Sequence, residues 1–497
     1  MNDNQFKFLC EQCDKILTDR TSSIQTIAIG WMHIINEHPI NLSKYIGLFY
    51  QKQFSEVIIR VRSAIYTIVI ACKSKKNLLG WNVSTDLPST IDVLLVSHLL
   101  NKEQLGSDND FYYGVLAEAL NDKGVKCATL LWNQSGEEVP NLMGKWKSSA
   151  TPRIMFDRTL SFFGELRLRN SLAAEARRLK KLALALPSEF DVNICNQASS
   201  EAMSTFSIAN LRFYLQMHSL IKALNPKTIL VTYEGHAWER LAFAAARNID
   251  KNISCVGYQH TVIFKRQHAI KRSLGKNFDP DIIIGAGNGS IEALIEMASI
   301  GDAKTIVAGT HRFNKKNSAS VLKFNTKSPP TCLVLPDGTM NECLLIFRFA
   351  VEAAKLNKEV IFILRMHPVL SFMQVIKRDS KFSILPPNVI VSDARIEDEF
   401  NQSRWVLYRG SSAAIHAVSH GLRPIYIAIP GELDIDPIYK LTEWKKVAFN
   451  PIELNAYIQE DLVTDDKLLT KESKSAIQYC EKYFSMIDYD IFVGELH

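Results

Sequence analysis

Four short polar motifs follow apolar runs of the sequence and carry side chains that can catalyse or bind. The first is Thr232-Tyr-Glu-Gly-His236, which comes directly after the apolar run that ends at Val231. A carboxylate beside a glycine at a strand end can face the ligand edge of an α/β sheet. Glu234 is therefore a candidate general base, and Glu239, one helical turn further on, is a second candidate. Alternatively, Glu234 caps the helix that follows, because acids favour helix N-termini.

The second motif, Gly257-Tyr-Gln-His260, also ends an apolar run. An imidazole at this place can donate to a phosphate or a carboxylate, or move a proton, so His260 is a further catalytic candidate. The alternative is a structural histidine. The segment that follows is basic, and we interpret it as a solvated loop; its cationic residues are Lys265, Arg266, His268, Lys271 and Arg272.

The third motif is Leu364-Arg-Met-His-Pro368, after a very apolar run. Pro368 fixes the chain just past the strand and so orients His367 into a cleft. Arg365 and His367 together can neutralise a nucleotide phosphate. A shorter polar turn, Asp337-Gly338, follows another apolar run and can contact the donor or the acceptor of a transfer reaction.

The fourth motif is Tyr408-Arg-Gly-Ser-Ser412, in which a strand runs through Gly410 into two serines at the start of a helix. Hydroxyl groups and free N–H groups at a helix N-terminus bind anions, so Ser411 and Ser412 are candidate phosphate ligands. The alternative is a plain serine N-cap, which is a common use of serine at this position.

The elements that must position these motifs alternate between short apolar runs and helical stretches. The runs that predict strands lie at 91–96, 126–132, 153–156, 228–232, 253–258, 281–284 and 305–308, and again at 331–335, 360–364, 389–391, 405–408 and 424–428. This alternation predicts two doubly wound parallel sheets, an α/β fold. Ligands of such folds bind at the carboxyl ends of the strands, in a cleft between the two domains.

The same patterns divide the chain into three parts. We expect a helical N-terminal extension over residues 1–90, a first Rossmann-like domain over 91–325, and a second one with a helical tail over 326–497. The polar, basic stretch from Thr310 to Pro330 ends in two prolines and predicts the linker between the domains.

Composition narrows the class of protein. The 497 residues are 47% hydrophobic and 22% charged, which excludes a disordered chain. The net charge of +6 suits contact with anionic nucleotides, glycans or a membrane face, and it does not require nucleic acid. No apolar run approaches the roughly 20 residues that span a bilayer, and we see no signal peptide. We therefore expect a cytoplasmic protein with no nucleic-acid partner.

The nine cysteines are scattered along the chain, which is typical of reduced thiols in a reducing compartment. Cys10 and Cys13 form a single C-x-x-C. A structural zinc site needs a second pair of ligands at a suitable spacing, and none follows. We therefore expect no metal site.

The four motifs lie between about residues 228 and 430. Taken in this order, they resemble the motifs of GT-B glycosyltransferases of bacterial surface polysaccharide synthesis. They are most similar to CMP-sugar-dependent sialyltransferases and Kdo transferases. Those enzymes share an acidic-x-Gly or double-acid-Gly motif in the first domain, then His-Pro and paired serines in the second. Position 233 is Tyr, so the double-acid form is absent from this chain.

The resemblance implies that Glu234 is the catalytic base and that His367 contacts the donor nucleotide. It also implies that Ser411 and Ser412 hold the donor phosphate. The implied donor is a CMP-activated acidic sugar that acts as co-substrate, with no cofactor and no metal. The implied acceptor, bound by the first domain, is a lipid-linked or oligosaccharide chain of an O-antigen or capsule.

Other functions stay open from the sequence. His-Pro and Ser-Ser patterns also resemble transferases that use CDP-glycerol, and looser forms occur in enzymes for UDP-sugars. The enzyme alternatives are therefore a CDP-polyol phosphotransferase or a UDP-sugar glycosyltransferase. A third alternative belongs to another class, a non-catalytic glycan-assembly subunit with a degenerate site.

Two further features have structural interpretations. The glycine-rich stretch from Ile284 to Ser290 looks like a dinucleotide fingerprint with its third glycine out of register, so we interpret it as a strand-to-helix turn. The helix expected from Glu165 to Leu186 has one apolar face, with Arg177, Lys181 and other basic residues off it. It is a core helix or, alternatively, it docks to the anionic inner leaflet of the membrane.

Overall fold

A computed structural model describes residues 1–49, 56–72, 81–146, 151–297, 300–311 and 329–497. The chain forms two parallel β-sheets flanked by helices, which confirms the predicted α/β class. Most of the expected linker, with the boundary at 325, lies outside the described residues.

The first sheet has eight strands in the order β1-β4-β3-β2-β5-β6-β7-β8. Every neighbouring pair is parallel except β1 with β4. Their bounds are β1 Trp81–Val83, β2 Val93–Leu99, β3 Cys127–Asn133, β4 Arg153–Phe156, β5 Thr228–Thr232, β6 Ser254–Gln259, β7 Ile282–Gly285 and β8 Lys304–Val307. The strand order reverses between β2 and β5, so the topological switch point of this sheet lies there.

The second sheet has six parallel strands in the order β11-β10-β9-β12-β13-β14. Their bounds are β9 Thr331–Leu335, β10 Ile361–Arg365, β11 Val389–Ser392, β12 Trp405–Tyr408, β13 Arg423–Ile427 and β14 Lys446–Ala448. This sheet reverses between β9 and β12. The two sheets therefore repeat one doubly wound pattern, each with a single switch point.

Helices cover both sheets and also precede and follow them. Before and within the first sheet they are α1 Asp3–Leu17, α2 Ile24–Ile27, α3 Pro39–Phe49, α4 Glu56–Cys72, α5 Leu116–Asp122, α6 Val139–Met143, α7 Phe162–Ala183, α8 Glu189–Glu201, α9 Thr205–Leu224, α10 Ala237–Ile249, α11 His268–Lys271 and α12 Asn288–Met297. The later helices are α13 Met340–Leu356, α14 Phe372–Arg378, α15 Ile396–Gln402, α16 Ala413–Ser419, α17 Pro451–Val463, α18 Asp466–Tyr483 and α19 Tyr489–Leu496. Among the described helices, none combines the length and apolar character needed to cross a membrane.

The N-terminal helices belong to the core of the first domain. Leu9 and Cys13 of α1 and Tyr45 of α3 share one hydrophobic cluster with Leu94 of β2 and Phe243 of α10. The expected extension over residues 1–90 also contains the short strand β1, which pairs with β4. The extension is thus packed onto the first sheet.

The C-terminal tail returns to the first domain. The backbone N–H of Thr310 donates to the carbonyl of Ser485, and that of Asp488 donates to the carbonyl of Ala308. Phe492 of α19 lies in the core on the second face of the first sheet. The tail, which we expected as part of the second domain, therefore ends against the first.

The glycine-rich stretch after β7 is a strand-to-helix turn, as predicted, and α12 follows it. A Cβ on Gly287 would lie 2.2 Å from the carbonyl oxygen of Tyr483, and one on Gly289 2.8 Å from the Cα of Tyr483. These glycines let the C-terminal end of α18 approach the backbone of the first domain, which accounts for them without a cofactor.

The interpretation of residues 265–272 as a solvated loop is wrong. Arg272 and Lys271 are buried. The guanidinium of Arg272 lies 3.1 Å from an Asp14 carboxylate oxygen and donates to the His33 carbonyl at 2.9 Å. Those partners lie more than 200 residues earlier in the chain, so the local sequence contains no sign of them. Buried charges persist where they are paired in this way.

Candidate active site

The first motif lies at the switch point of the first sheet, directly after β5. Gly235 has φ +86°, and a Cβ there would lie 2.3 Å from the backbone carbon of Ala269. The fully buried Arg240 holds that neighbouring segment by donating to the carbonyls of Ala269 and Arg272, at 2.8 and 2.9 Å. Glycine is therefore required beside Glu234 both for its conformation and for space.

The buried carboxylate of Glu239 stabilises the turn between β5 and α10. One of its carboxylate oxygens accepts the backbone N–H groups of Glu234, at 2.9 Å, and of His236, at 2.7 Å. Burial raises the pKa of Glu239 to about 7, with a further contribution from the charge of Glu234. Because Glu239 does the capping at the start of α10, the alternative that Glu234 is the helix cap is wrong.

Glu234 itself is partly exposed, with 27% of its side chain accessible to solvent. Thr261 donates to one carboxylate oxygen at 2.6 Å, and His236 Nε2 lies 3.4 Å from the other. Burial alone would raise its pKa, but the hydrogen bond from His236 and the charges of His260 and His236 outweigh burial and lower it. Glu234 is therefore an ionised carboxylate at neutral pH, which is the form that accepts a proton.

Two other histidines lie behind this carboxylate. His260 is buried, and its ring centroid lies 4.4 Å from that of Tyr112. His98, inside β2 across the switch point, has its Nε2 3.1 Å from the hydroxyl of Thr232. Burial, together with the charges of His260 and His236, lowers the pKa of His98 to about 3, so its ring is neutral. No motif of the sequence singled out His98, which lies beyond the apolar run predicted over 91–96.

In the second domain, three strand ends bring the other motifs together. Asp337-Gly338 follows β9, His367 follows β10 and Gly410 follows β12, so they surround the second switch point. A Cβ on Gly338 would lie 3.1 Å from His367 Cε1, and one on Gly410 would lie 3.5 Å from Asp337 Oδ2. The backbone at these two glycines therefore lies close to the imidazole and the carboxylate.

The Asp337 and His367 side chains have defined orientations. Asp337 Oδ1 accepts the backbone N–H of Thr339 at 2.7 Å and its hydroxyl at 2.9 Å. The N–H of Val369 lies 3.4 Å from His367 Nδ1, which leaves the proton on Nε2. Burial lowers the pKa of His367, so its ring is a neutral donor at pH 7.

The remaining predicted donor residues differ in exposure. Arg365 Nη1 lies 2.6 Å from the buried carboxylate of Glu399, so this ion pair already balances its charge. Pro368 is exposed. Ser411 is buried and Ser412 is exposed, and Ser412, the N-cap residue of α16, makes no side-chain capping hydrogen bond. The plain serine-cap alternative is therefore not the arrangement at this helix.

The carboxyl edges of the two sheets face each other across the segment that follows β6. Arg266, in that segment, donates to the carbonyl of Asp434 at 2.9 Å. The next residue, Ile435, lies against Gly410, with 3.3 Å between its Cδ1 and the position of a Cβ. Val262 also packs in a hydrophobic cluster of the second domain. Two facing Rossmann-like domains with the motifs on their facing edges form a GT-B architecture.

Two cavities, of about 340 and about 440 Å³, open in the first domain, and neither is lined by a predicted site residue. The larger lies at the ends of β3 and β4. Its lining combines aromatic and polar side chains, which include Trp132, Phe156, Phe213, Asn133 and Arg158. The smaller shares His98 with the site. Among the described residues, no group of three or more His, Cys, Asp or Glu has a metal-binding arrangement.

No protein-family model matches this sequence, and no curated protein matches it either. Similar solved structures include the glycotransferase of kitacinnamycin, at 12% identity over 83% of this chain and 100% of that one, with a TM-score of 0.45. Another is UDP-GlcNAc 2-epimerase from Neisseria meningitidis, at 12% identity over 82% and 99%, with a TM-score of 0.47. A putative UDP-N-acetylglucosamine 2-epimerase from Listeria monocytogenes has 12% identity over 81% and 95%, with a TM-score of 0.48. Likeness at this level carries no argument about function, and the fold class rests on the topology of the two sheets.

Proposed function

We propose that this protein is a glycosyltransferase that moves a sugar from a nucleotide donor to a hydroxyl group of a glycan acceptor. One observation carries the proposal: a partly exposed carboxylate, Glu234, lies at the switch point of one sheet. In the facing sheet, Asp337, His367 and Gly410 follow three strand ends around the other switch point. Ligands of doubly wound folds bind at such points. A transfer reaction needs both a group that accepts a proton, here Glu234, and a site that binds the nucleotide, here the loops of the second domain.

The second domain is the proposed donor side. Gly338 and Gly410 carry no side chain beside His367 and Asp337. Glycines at other phosphate and nucleotide sites let the ligand approach the backbone closely. The Nε2–H of His367 and the hydroxyls of Ser411 and Ser412 are neutral donors for the leaving phosphate. Hydrogen bonds from such groups stabilise the charge that develops as the sugar departs.

The first domain is the proposed acceptor side. A hydroxyl group that attacks the sugar must lose a proton, and the Glu234 carboxylate is positioned to accept it. Thr261 and His236 orient that carboxylate. The cavity at the ends of β3 and β4 joins aromatic faces to amide and guanidinium groups, a combination that suits a saccharide.

The finer parts of the proposal come from the sequence resemblance. They are a CMP-activated acidic sugar as donor, a growing surface glycan as acceptor, no metal, and a cytoplasmic location with docking to the inner membrane leaflet. The exposed Arg177 and Lys181 of α7 support the docking. Sedimentation with anionic vesicles tests it, because salt should weaken the binding; equal sedimentation with neutral vesicles would overturn it.

Titration calorimetry with CMP, CDP and UDP tests the donor site. A hydrogen bond to a charged group contributes about 1.5–3 kcal/mol, so His367→Ala should weaken nucleotide binding about tenfold or more. His218→Ala is the matched control, because His218 is a partly exposed histidine of α9 that bonds to Asn248. Unchanged affinity in folded His367→Ala contradicts the assignment. The preferred nucleotide separates the CMP, CDP-polyol and UDP-sugar alternatives, and a wild-type protein that binds none of them is the assembly subunit.

A further inference from the structure

His38, in the N-terminal segment just before α3, reaches the donor side of the cleft. Its Nε2 lies 3.1 Å from Asp337 Oδ2 and 3.6 Å from Glu342 Oε1, and only 11% of the side chain is exposed. The backbone N–H of Ile40 donates to its Nδ1 at 3.2 Å, so the proton is on Nε2, the ring nitrogen that lies close to the two carboxylates.

The segment that carries His38 is fixed to the first domain. Leu42 and Tyr45 of α3 are buried in the core of that domain. The preceding residue, Glu37, is also buried and accepts the backbone N–H of Arg266 at 3.0 Å. The Arg266 side chain in turn donates to the carbonyl of Asp434. His38 is therefore a rigidly supported group of the first domain at the loop that follows β9 of the second.

The carboxylates that it meets border the proposed donor site. Asp337 Oδ1 is held by Thr339, and Oδ2, the oxygen near His38, is the one that faces Gly410. Glu342 is buried and pairs with Arg409. His38 thus contacts Asp337 Oδ2, while Thr339 holds Oδ1.

We propose that His38 is a positioning residue of the donor site, supplied by the N-terminal segment of the first domain to the second. Through its contact with Asp337 it keeps that carboxylate, beside Gly338 and Gly410, in the orientation that accepts the donor nucleotide. The affinity for the donor then depends on the relative placement of the two domains. This inference rests on the proposed function, because it concerns the same donor site.

The test compares two substitutions that differ in one polar contact with Asp337. The amide nitrogen of Gln reaches about as far as the imidazole Nε2, so His38→Gln keeps a polar N–H group there, whereas His38→Leu removes it. We expect His38→Leu to weaken binding of the preferred nucleotide among CMP, CDP and UDP about tenfold, as for the loss of one polar contact with a charged group. Once an acceptor is in hand, the donor KM should rise by a similar factor while kcat changes less. His38→Gln should stay within about twofold of the wild type.

His268→Leu is the matched control. His268 Nε2 lies 2.7 Å from an Asp14 carboxylate oxygen, so it also ties the N-terminal helices to the segment after β6, away from the donor loop. Its affinity for nucleotide should equal that of the wild type. If all three variants weaken binding equally, loosening of the extension explains the effect and the inference is wrong. If wild type and His38→Leu bind equally well, the inference fails and the proposed function stands; if the wild type binds no nucleotide, both fail.

Discussion

The two sheets share one doubly wound pattern, yet different groups hold their carboxyl edges. At the first edge, two charged side chains hold the backbone: Glu239 accepts two backbone N–H groups and Arg240 donates to two carbonyls. At the second edge, Ser412 is exposed without a capping bond, and a Cβ on Gly338 or Gly410 would meet only side-chain atoms. In the proposed transfer, the first edge fixes the carboxylate of Glu234 before any ligand arrives, whereas the second offers donors for a ligand to use.

The largest expected effect comes from removing the negative charge of Glu234 at the edge of the first sheet. Glu234→Gln keeps the shape of the side chain and its bond with Thr261, but it cannot accept a proton. General-base assistance contributes about 10²–10⁴ in rate, so turnover should fall by about that factor while nucleotide affinity hardly changes. Turnover is measured with the same acceptor for every variant, and the affinity for the donor nucleotide is measured by calorimetry.

Glu239→Gln and His260→Ala are the comparisons for that experiment, and Glu292→Gln, an exposed glutamate of α12, is the control. Because Glu239 is buried and caps the turn, its loss should lower stability as well as rate. Near-normal turnover in Glu234→Gln with lost turnover in stable His260→Ala would move the base to His260. Normal turnover in all three would contradict the site and the resemblance behind it.

The second prediction compares the effects of an alanine substitution at one glycine of each edge, Gly235 and Gly410. At Gly235 a Cβ would meet backbone atoms at 2.3 Å in a left-handed conformation, so Gly235→Ala should destabilise the protein by about 1–3 kcal/mol or more. At Gly410 the nearest atoms are side-chain atoms at 3.3 and 3.5 Å, so Gly410→Ala should fold normally but bind nucleotide more weakly. Thermal unfolding and calorimetry on both variants measure the contrast.

Gly124→Ala is the control for conformation alone, since its φ is +77° but nothing lies within 4 Å of the added Cβ. It should cost less stability than Gly235→Ala. The contrast between the two edges is overturned if Gly410→Ala is the less stable variant, or if Gly235→Ala is as stable as Gly124→Ala.

The strands beside the motifs were predictable because each is a short, nearly continuous apolar run. Arg153–Phe156, Thr228–Thr232 and Trp405–Tyr408 have the predicted bounds. Strands β1 and β14 were missed, since each has only three residues and a polar one among them.

The site was predictable only where its residues are local. The order of strands that brings Asp337, His367 and Gly410 together depends on pairing between distant segments, which no single motif encodes. His38 meets its partner from about 300 residues away, so its role depends entirely on the packing of the N-terminal helices. Sequence reasoning found the groups at strand ends and missed those supplied from other elements.

The smallest expected effect concerns the acid side of the pH profile of activity, which we expect Glu234 to set. Burial would raise the pKa of Glu234, but the hydrogen bond from His236 and the charges of His260 and His236 lower it below its ordinary range. Burial would likewise lower the pKa of His236, yet its bond with Glu234 and the charges of Glu239 and Glu234 raise it. His236→Gln keeps a donor near Glu234 but removes the positive charge, so the pKa of Glu234 should rise.

Activity needs the ionised carboxylate, so in the wild type it should persist below the ordinary pKa of a glutamate and be lost only as the pH falls further. In His236→Gln the acid limb of kcat/KM should move to higher pH, with near-normal activity on the plateau. The stability that the lowered pKa contributes above the ordinary value should shrink in the same variant. His218→Gln, remote from the site, should leave the limb unchanged. An unmoved limb in His236→Gln would show that Glu234 does not set it, and loss of activity at every pH would make His236 the base.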